Sequence, residues 1–411
     1  MSGLLGTRKF IRLDSVLTPN PSRLVFTFTS NLPFFKKKEF FVEYSEPIAD
    51  FTEATANVVF AAVMAPMAQA SGASLSISCL DEAFAQSLDK LGVHWSKVYG
   101  WKPLQLIAKQ LKSGRAVTGC GMLFSGGIDS MASFLENKKR APRLFVIFGA
   151  DVPASKTTFI KALKADFYEP FAKQEKTSIT FISTDVRAAM DEKSLSKRFK
   201  VGWYAEVLYG LFLTSLVAPI AALKKLIVAS CSLEHPDGEC GGDPAILDQI
   251  TFAGTRMELS LLDTQRVEKI KKYLLPNPHI QKYIRVCWEQ FEKLNCSRCN
   301  KCLRTLCELL VNNIDPNHLN FEMTDRTLSE LRSRMTGSFY HFFYNANELV
   351  FFRQIQSALA LNEIQDIRGS KDFFKWFQDF QELRRERPGY YKKARYLAES
   401  LRQKFVSETT P

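Results

Sequence analysis

Four short apolar runs alternate with longer helical segments between residues 117 and 230, and this alternation constrains the fold more than any other feature. The apolar runs are 117–124, 144–149, 178–183 and 226–230. The segments between them repeat apolar residues with helical periodicity, at 130–138, 157–174 and 204–222. The run 144–149 is almost wholly apolar, as in strands that are buried on both faces of a parallel sheet. The alternation predicts an α/β fold with a doubly wound parallel sheet.

The first apolar run is followed by a polar loop with two adjacent glycines, SGGIDS at residues 125–130. Gly126 and Gly127 let the backbone approach a ligand closely and adopt positive φ. The N–H groups of the helical turn that follows favour an anion. Ser125 and Ser130 add hydroxyl donors, and Asp129 is a candidate ligand for a divalent cation beside phosphate oxygens. The sequence therefore predicts a phosphate-binding loop, with an ordinary β–α turn as the alternative. Since no lysine follows the glycines, it is not a GxxxxGK[ST] loop.

The hexapeptide 125–130 resembles the SGGxDS signature of the PP-loop ATP pyrophosphatases, which cleave ATP between the α and β phosphates. The resemblance implies that Ser125, Gly126, Gly127 and Ser130 grip pyrophosphate and that Asp129 holds Mg²⁺. In that family the second strand and the loop after it hold adenine and ribose. The residues implied on the nucleotide side are Val146, Phe148 and Gly149, followed by Thr184, Asp185 and Arg187. For each of these, plain strand-end structure is the alternative.

Four of the nine cysteines are crowded into residues 287–302, with the spacing C-x8-C-x2-C-x2-C. An odd cysteine count and this crowding favour reduced thiols and a metal site over a disulfide framework. Zinc prefers four thiolates in a tetrahedron, and CxxC turns supply such pairs. We therefore expect a structural zinc site, with an iron–sulfur cluster as the alternative. The ligands would be Cys287, Cys296, Cys299 and Cys302.

Together, the two motifs resemble 7-cyano-7-deazaguanine synthase (QueC-like) enzymes over residues 117–312. The resemblance also covers an Arg-x-x-Lys at the start of a helix, here Arg266 and Lys269. In that family these side chains face the nucleotide phosphates, where lysine would neutralise charge on leaving pyrophosphate. A solvated helix face is the alternative for both residues.

The resemblance implies an ATP-dependent carbon–nitrogen ligase that uses ATP, Mg²⁺ and Zn²⁺. A carboxylate, 7-carboxy-7-deazaguanine or a similar compound, would be adenylated with release of pyrophosphate. An amine would then displace AMP to give an amide or a nitrile. Because the chain has additional segments on both sides, we expect a larger substrate such as a protein, or a role beyond queuosine synthesis. Enzymes that resemble deazaguanine synthase also occur in anti-phage systems, so a role in antiviral defence or a modification system is a further hypothesis. The alternatives are a tRNA-modifying PP-loop enzyme of the thiolation or lysidine type, and a non-catalytic nucleotide-sensing module.

Three regions are predicted from the distribution of these patterns: an N-terminal α+β accessory domain at 1–112, the ATP-binding domain at 113–312 and a helical C-terminal region at 313–411. In the first region we expect strands at 24–29, 40–44 and 75–79 and helices at 52–70 and 81–91. Pro66 is expected to kink or end the first helix, and Gly92 to cap the second. Basic and aromatic residues interleave near the C-terminus, which fits nucleic-acid contact or, our preferred interpretation, a helical docking module.

The net charge of +12 suits anionic ligands such as nucleotides and permits RNA, which is not the favoured partner. The apolar stretch 207–223 contains Gly210 and Pro219 and is short for a membrane span, so a buried helix is expected. Since we recognise no signal peptide, a cytoplasmic protein is expected. The polar loop 234–243 is expected to close over substrate, with His235, Asp237 and Asp243 as candidate acid–base groups or metal ligands.

Overall fold

The computed structural model describes residues 8–49, 51–112, 117–220, 223–230, 240–337 and 346–384. The chain divides into two compact units rather than the three predicted regions. The first unit comprises Met1–Phe124 with Asn137–Leu262, and the second comprises Ser125–Glu136 with Asp263–Pro411. The candidate phosphate-binding loop and the cysteine motif therefore belong to the same unit.

The first unit is built on an 11-stranded sheet. Its strands are β1 Phe10–Asn20, β2 Arg23–Ser30, β3 Glu39–Tyr44, β4 Ser74–Asp81, β5 Gln105–Leu111, β6 Cys120–Leu123, β7 Arg143–Phe148, β8 Ile179–Thr184, β9 Lys225–Ala229, β10 Thr251–Phe252 and β11 Thr255–Ser260. The spatial order is β10-β11-β9-β6-β7-β8-β3-β2-β1-β4-β5. Of these strands, β1, β5, β10 and β11 were not predicted.

Five adjacent strands, β8, β7, β6, β9 and β11, are mutually parallel. Numbered along the chain, these five strands have the spatial order 3-2-1-4-5, which is that of a doubly wound parallel sheet. The prediction of an α/β fold with a large, mostly parallel sheet is confirmed.

The N-terminal strands extend the same sheet and do not form a separate one. β3 pairs antiparallel with β8, with Val42 opposite Thr184 and Tyr44 opposite Ile182. β2 and β1 continue the antiparallel pairing, and β4 and β5 then add in parallel. The pairing of β3 with β8 joins strands about 140 residues apart, and it was not predicted because such a pairing leaves no local sequence signal.

Helix α1, Glu53–Ser71, is buried along nearly its whole length and forms the core of the N-terminal part. Phe60 packs against the rings of Phe26 and Phe40 on β2 and β3. The helix runs past Pro66 to Ser71, so Pro66 does not end it. By length and composition α1 is the one described helix that passes for a membrane span, and most of it is buried within the protein. Such burial is that of a core helix.

Helix α2, Glu82–Tyr99, is longer than predicted and ends at Gly100, which has φ of 69°. Gly92, the predicted cap, lies inside the helix. Its carbonyl accepts a hydrogen bond of 2.8 Å from Nε2 of Gln69 on α1. A Cβ at position 92 would lie 3.2 Å from Oε1 of the same glutamine. Gly92 therefore permits close packing of α1 against α2.

The remaining helices of the first unit are α4 Thr157–Ala162, α5 Glu169–Glu175, α6 Val186–Ala189, α7 Glu192–Phe199, α8 Tyr209–Ser215 and α9 Pro244–Leu247. Between α4 and α5 the turns of Leu163–Tyr168 are π-helical, and Trp203–Leu208 forms a second π segment before α8. This second segment with α8 is the predicted buried helix, and it ends at Ser215 rather than at 222.

The predicted polar loop 234–243 is described only from Cys240 onward, so His235 and Asp237 lie outside the described residues. Gly241 inserts into the π segment: its N–H donates to the carbonyl of Ala205 at 2.9 Å and its carbonyl accepts from Gly210 N–H at 3.0 Å. Asp243 accepts a hydrogen bond from Cys240 N–H and directly precedes α9. The described end of the loop is thus fixed by backbone contacts.

The second unit is helical. Its helices are α3 Ile128–Asn137, α10 Arg266–Lys269 with the π segment Ile270–Leu274, α11 Pro278–Gln281, α12 Asn300–Leu310, α13 Thr327–Gly337, α14 Ala346–Leu359 and α15 Ser370–Gln378. Apolar side chains from α12 to α15 are buried, among them Leu306, Leu331, Phe352 and Phe377. The second unit therefore has a core of its own. Of the predicted C-terminal region, residues 338–345 and 385–411 lie outside the described residues.

Candidate phosphate-binding and metal sites

The loop 125–130 is held closed by its own serines. Gly126 has φ of 76°, a conformation that favours glycine. The hydroxyl oxygens of Ser125 and Ser130 lie 3.1 Å apart, and Gly127 N–H donates to Ser125 Oγ at 3.3 Å. Ser130 Oγ in turn donates to the carbonyl of Gly127 at 3.1 Å. The turn therefore leads into α3 with its backbone already ordered.

The carboxylate of Asp129, in the first turn of α3, lies between two cations from α10. Oδ1 accepts a hydrogen bond of 3.0 Å from Nζ of Lys269, and Oδ2 accepts one from Nη1 of Arg266. Arg266 and Lys269 are three residues apart, so they share one helix face. Their side chains are 3% and 0% exposed. Neither residue lies on a solvated helix face.

The charges around Asp129 determine its protonation. Burial raises the pKa of this carboxyl, and the attraction of Arg266 and then of Lys269 lowers it by more. The net pKa lies below the ordinary value of an aspartic acid, so the group is ionised at neutral pH. The structure thus brings together the loop and the Arg-x-x-Lys pair, and all seven residues predicted there are in the second unit: Ser125, Gly126, Gly127, Asp129, Ser130, Arg266 and Lys269.

One carboxylate in this cluster was missed by sequence reasoning. Glu308 on α12 accepts hydrogen bonds of 3.0 and 3.2 Å from Nε of Arg266. It also lies 3.7 Å from Nε of Arg304, one helical turn earlier. The Arg304–Glu308 spacing of four residues is the only local signal for it, and such pairs are common on exposed helices.

The nucleotide-side candidates lie in the first unit, on and after β7. Val146 and Phe148 are buried, and Phe148 packs against Tyr168 and Phe181. Gly149 has φ of 104°, and a Cβ there would lie 1.9 Å from the carbonyl oxygen of Thr184. The glycine is therefore required by the close approach of the ends of β7 and β8.

The three further candidates all make structural contacts within the first unit. Thr184 Oγ1 donates to the carbonyl of Phe41, and Asp185 Oδ1 accepts from the N–H of the same residue. The Arg187 guanidinium makes two hydrogen bonds of 2.7 Å to Glu192 and one of 2.6 Å to the carbonyl of Ala150. These contacts give each residue a structural reason to be present.

The four cysteines of the C-x8-C-x2-C-x2-C motif come together, as predicted. All are buried, and their sulfur atoms lie within 4.8 Å of one another. The sulfurs of Cys296 and Cys302 are 3.8 Å apart, and tetrahedral ligands with Zn–S bonds of about 2.3 Å have S–S separations of about 3.8 Å. The N–H groups of Cys299 and Cys302 donate to the sulfurs of Cys296 and Cys299. The donor set fits a closed zinc site.

Thiol hydrogen bonds within the cluster favour an anionic sulfur. Those from Cys296, Cys299 and Cys302 lower the pKa of Cys287, and thiolate is the form that binds zinc. Cys307 is buried outside the group, and burial raises the pKa of its thiol.

Two residues before Cys287, the N–H of Arg285 donates to the carbonyl of Gly126 at 2.9 Å. The segment that leads into the cysteine motif therefore contacts the loop.

Comparison of the chain with models of protein families, with curated proteins and with solved structures gives no match. Function is therefore inferred from the residues of this chain.

Proposed function

We propose that this protein is an ATP-dependent carbon–nitrogen ligase that adenylates a carboxylate and releases pyrophosphate. One observation carries the proposal: the buried pair Arg266 and Lys269 is held at the first turn of α3, directly after the Gly–Gly loop. Two buried cations beside a helix N-terminus favour a polyanion such as the phosphates of ATP. They are suited to neutralising charge that builds up on a leaving group.

The order of the parallel strands supports the same proposal. In sheets with the order 3-2-1-4-5, ligands bind beyond the carboxyl ends of the strands where the order reverses, here between β6 and β9. The loop begins at Ser125, two residues after β6 ends at Leu123. A nucleotide is the class of ligand that this strand order favours.

In the proposed reaction a carboxylate oxygen of the substrate attacks the α-phosphorus of ATP. The bond from that phosphorus to the bridging oxygen breaks, and the electron pair leaves with pyrophosphate, beside Arg266 and Lys269. An amine then attacks the carbonyl carbon of the acyl-adenylate, AMP departs and an amide forms. A second activation of the amide would give a nitrile. These residues act by positioning and charge neutralisation, so no nucleophilic side chain is needed.

Mg²⁺ and Zn²⁺ would have different tasks. Asp129 offers the oxygen ligands that Mg²⁺ prefers, and a bound Mg²⁺ would neutralise phosphate charge. Each of its carboxylate oxygens has two lone pairs, so pairing with Arg266 and Lys269 leaves room for a further bond. Zinc on the four cysteines would be structural, because a closed tetrathiolate offers no open position. Because Arg285 contacts Gly126, a zinc ion bound two residues further on would also stabilise the loop.

The substrate class is proposed from the resemblance of the two motifs to 7-cyano-7-deazaguanine synthase enzymes. We propose 7-carboxy-7-deazaguanine or a related carboxylate, with ammonia or an amino group of a protein as the acceptor, in a cytoplasmic modification or antiviral system. A tRNA-modifying PP-loop enzyme is the second candidate, and the net charge of +12 is the observation that favours it.

The experiment is to incubate the protein with α-labelled ATP and Mg²⁺ and to separate AMP from ADP. Parallel reactions contain 7-carboxy-7-deazaguanine, tRNA or neither. AMP that depends on the deazaguanine and is lost in Asp129→Ala supports the ligase, and AMP that depends on tRNA supports the second candidate. ADP as the product would contradict both, and tight ATP binding without turnover would indicate a nucleotide sensor.

A further inference from the structure

Six buried charges of the second unit alternate in sign from α10 to α14. Their order is Lys269, Asp129, Arg266, Glu308, Arg304 and Glu348. None of the six side chains is more than 17% exposed. Burying so many charges is costly, and apolar residues of similar volume often stabilise a protein as well or better. An arrangement of this kind calls for a reason other than stability.

Contacts on all three nitrogens fix the orientation of the Arg266 guanidinium. Nε donates to both oxygens of Glu308, Nη1 donates to Asp129, and Nη2 donates to Thr305 Oγ1 at 3.4 Å. A guanidinium is a rigid planar fork, so fixing Nε determines where its other N–H groups point. Glu308 thereby directs the Nη1 edge of Arg266 toward the first turn of α3.

Helix α14 supports this arrangement through two side chains on one of its faces. Oε1 of Glu348 accepts a hydrogen bond of 3.0 Å from Nη1 of Arg304. The ring of Phe351, three residues later, lies 4.0 Å from the guanidinium carbon of Arg304 and 5.5 Å from that of Arg266. Cation–π contacts of this kind hold a guanidinium plane in place. The C-terminal region therefore contacts Arg266, the cation that also pairs with Asp129.

We propose that Glu308 is a positioning residue for Arg266, and that α14, through Glu348 and Phe351, completes the pyrophosphate-binding site. The inference rests on the proposed function, which assigns Arg266 to the leaving pyrophosphate. Because Glu308 acts through Arg266, its removal should matter only while the guanidinium is present. A merely structural carboxylate would instead lower stability and leave the chemistry of Arg266 unchanged.

A double-mutant cycle on the full-length protein tests this, with Glu308→Gln, Arg266→Lys and the two combined. We expect each single variant to lower kcat for pyrophosphate release by roughly 10- to 100-fold, since a misplacement of about 1 Å is worth that much. The double variant should be no slower than Arg266→Lys. Glu348→Gln is a second variant in case Glu308→Gln does not fold. Glu348 contacts Arg304 and is one contact further from Arg266 than Glu308 is, so we expect a smaller decrease in kcat. Glu322→Gln, at an exposed pair with Lys293, is the control and should behave as wild type.

Losses that multiply in the double variant, or an unchanged kcat in Glu308→Gln, would overturn the inference while leaving the ligase in place. Calorimetric titration with inorganic pyrophosphate separates the two claims. If the wild type binds pyrophosphate but never releases it from ATP, the proposed function fails alone. The inference then stands if Glu308→Gln weakens this binding about 10-fold, as expected for a lost charged hydrogen bond, and falls if binding is unchanged. A wild type that neither turns over ATP nor binds pyrophosphate would overturn both.

Discussion

Nζ of Lys269 lies 3.0 Å from Oδ1 of Asp129, although the two residues are 140 positions apart in the chain. The lysine side chain is fully buried. A buried ammonium is costly unless it is paired. This pairing fixes the start of α10 against the start of α3, and it places a positive charge at the loop.

Replacement of Lys269 should weaken nucleotide binding. Methionine has nearly the shape of lysine and lacks its charge, so Lys269→Met removes the charged contact that we propose between Lys269 and phosphate. We expect the Kd for ATP to rise about 10- to 100-fold, the equivalent of one charged hydrogen bond. Equilibrium binding of a fluorescent ATP analogue measures this. Lys272→Met is the matched control on the same helical segment, because its side chain is exposed; an equal loss in both variants would contradict the assigned role.

Gly126 and Gly127 should differ in their tolerance of alanine. Only Gly126 of the two has positive φ, where an L-residue costs about 1–2 kcal/mol. A Cβ at Gly127 would meet Ser125 Oγ at 3.3 Å, a small group that can shift. Urea unfolding should therefore show a loss of about 1–2 kcal/mol for Gly126→Ala and a smaller one for Gly127→Ala. The reverse order would mean that the loop has another conformation.

The parts of the fold and site that the sequence predicted are those with a local residue pattern. The loop, the apolar strands β6 to β9 and the cysteine spacing are local patterns, so the parallel part of the sheet and the metal ligands were predicted. β11, with the sequence TRMELS, was missed because polar residues interrupt it. Glu258 in that strand pairs with Arg140 and Lys225, and such ion pairs are invisible to apolar periodicity.

Long-range contacts were the other gap. Glu308 meets Arg266 across 42 positions, and β3 meets β8 across about 140. No residue pattern encodes either partner choice, because both depend on where whole elements pack. A family resemblance alone led us to expect Arg266 and Lys269 near the phosphates, and their pairing with Asp129 was not predicted.

Loss of a cysteine ligand should release the metal and affect the loop. We expect about one zinc per chain in the wild type and almost none in Cys299→Ser, since structural zinc binding is coupled to folding. Because Arg285 donates to Gly126 two residues before Cys287, ATP affinity should fall together with the metal content. Metal analysis by mass spectrometry and ATP titration measure both quantities.

The control for that experiment is Cys120→Ser in β6, which lies outside the cluster. It should retain the zinc of the wild type. Full zinc occupancy in Cys299→Ser would contradict the four-cysteine site. Normal ATP binding by a zinc-free variant would contradict the claim that the metal site stabilises the loop.

Gly149 should not tolerate a side chain. Its φ is 104°, and a Cβ would lie 1.9 Å from the carbonyl of Thr184. We expect Gly149→Ala to destabilise the protein by about 3 kcal/mol or more, because overpacking against backbone adds to φ strain. Gly72 also has positive φ, but a Cβ there would meet no atom within 4 Å. Gly72→Ala therefore measures the backbone strain alone, and we expect it to destabilise the protein by about 1 kcal/mol. Equal thermal shifts in the two variants would contradict the close approach of β7 and β8.

The most direct test of the proposed ligase follows an oxygen atom. The protein is incubated with ATP, Mg²⁺, ammonia and 7-carboxy-7-deazaguanine that is labelled with ¹⁸O in its carboxylate. If the carboxylate attacks the α-phosphorus, one labelled oxygen stays on AMP when the amine displaces it. Mass spectrometry should then find singly labelled AMP and unlabelled pyrophosphate. Label in inorganic phosphate together with ADP, or no label transfer during turnover of the deazaguanine, would contradict adenylation and with it the proposed function.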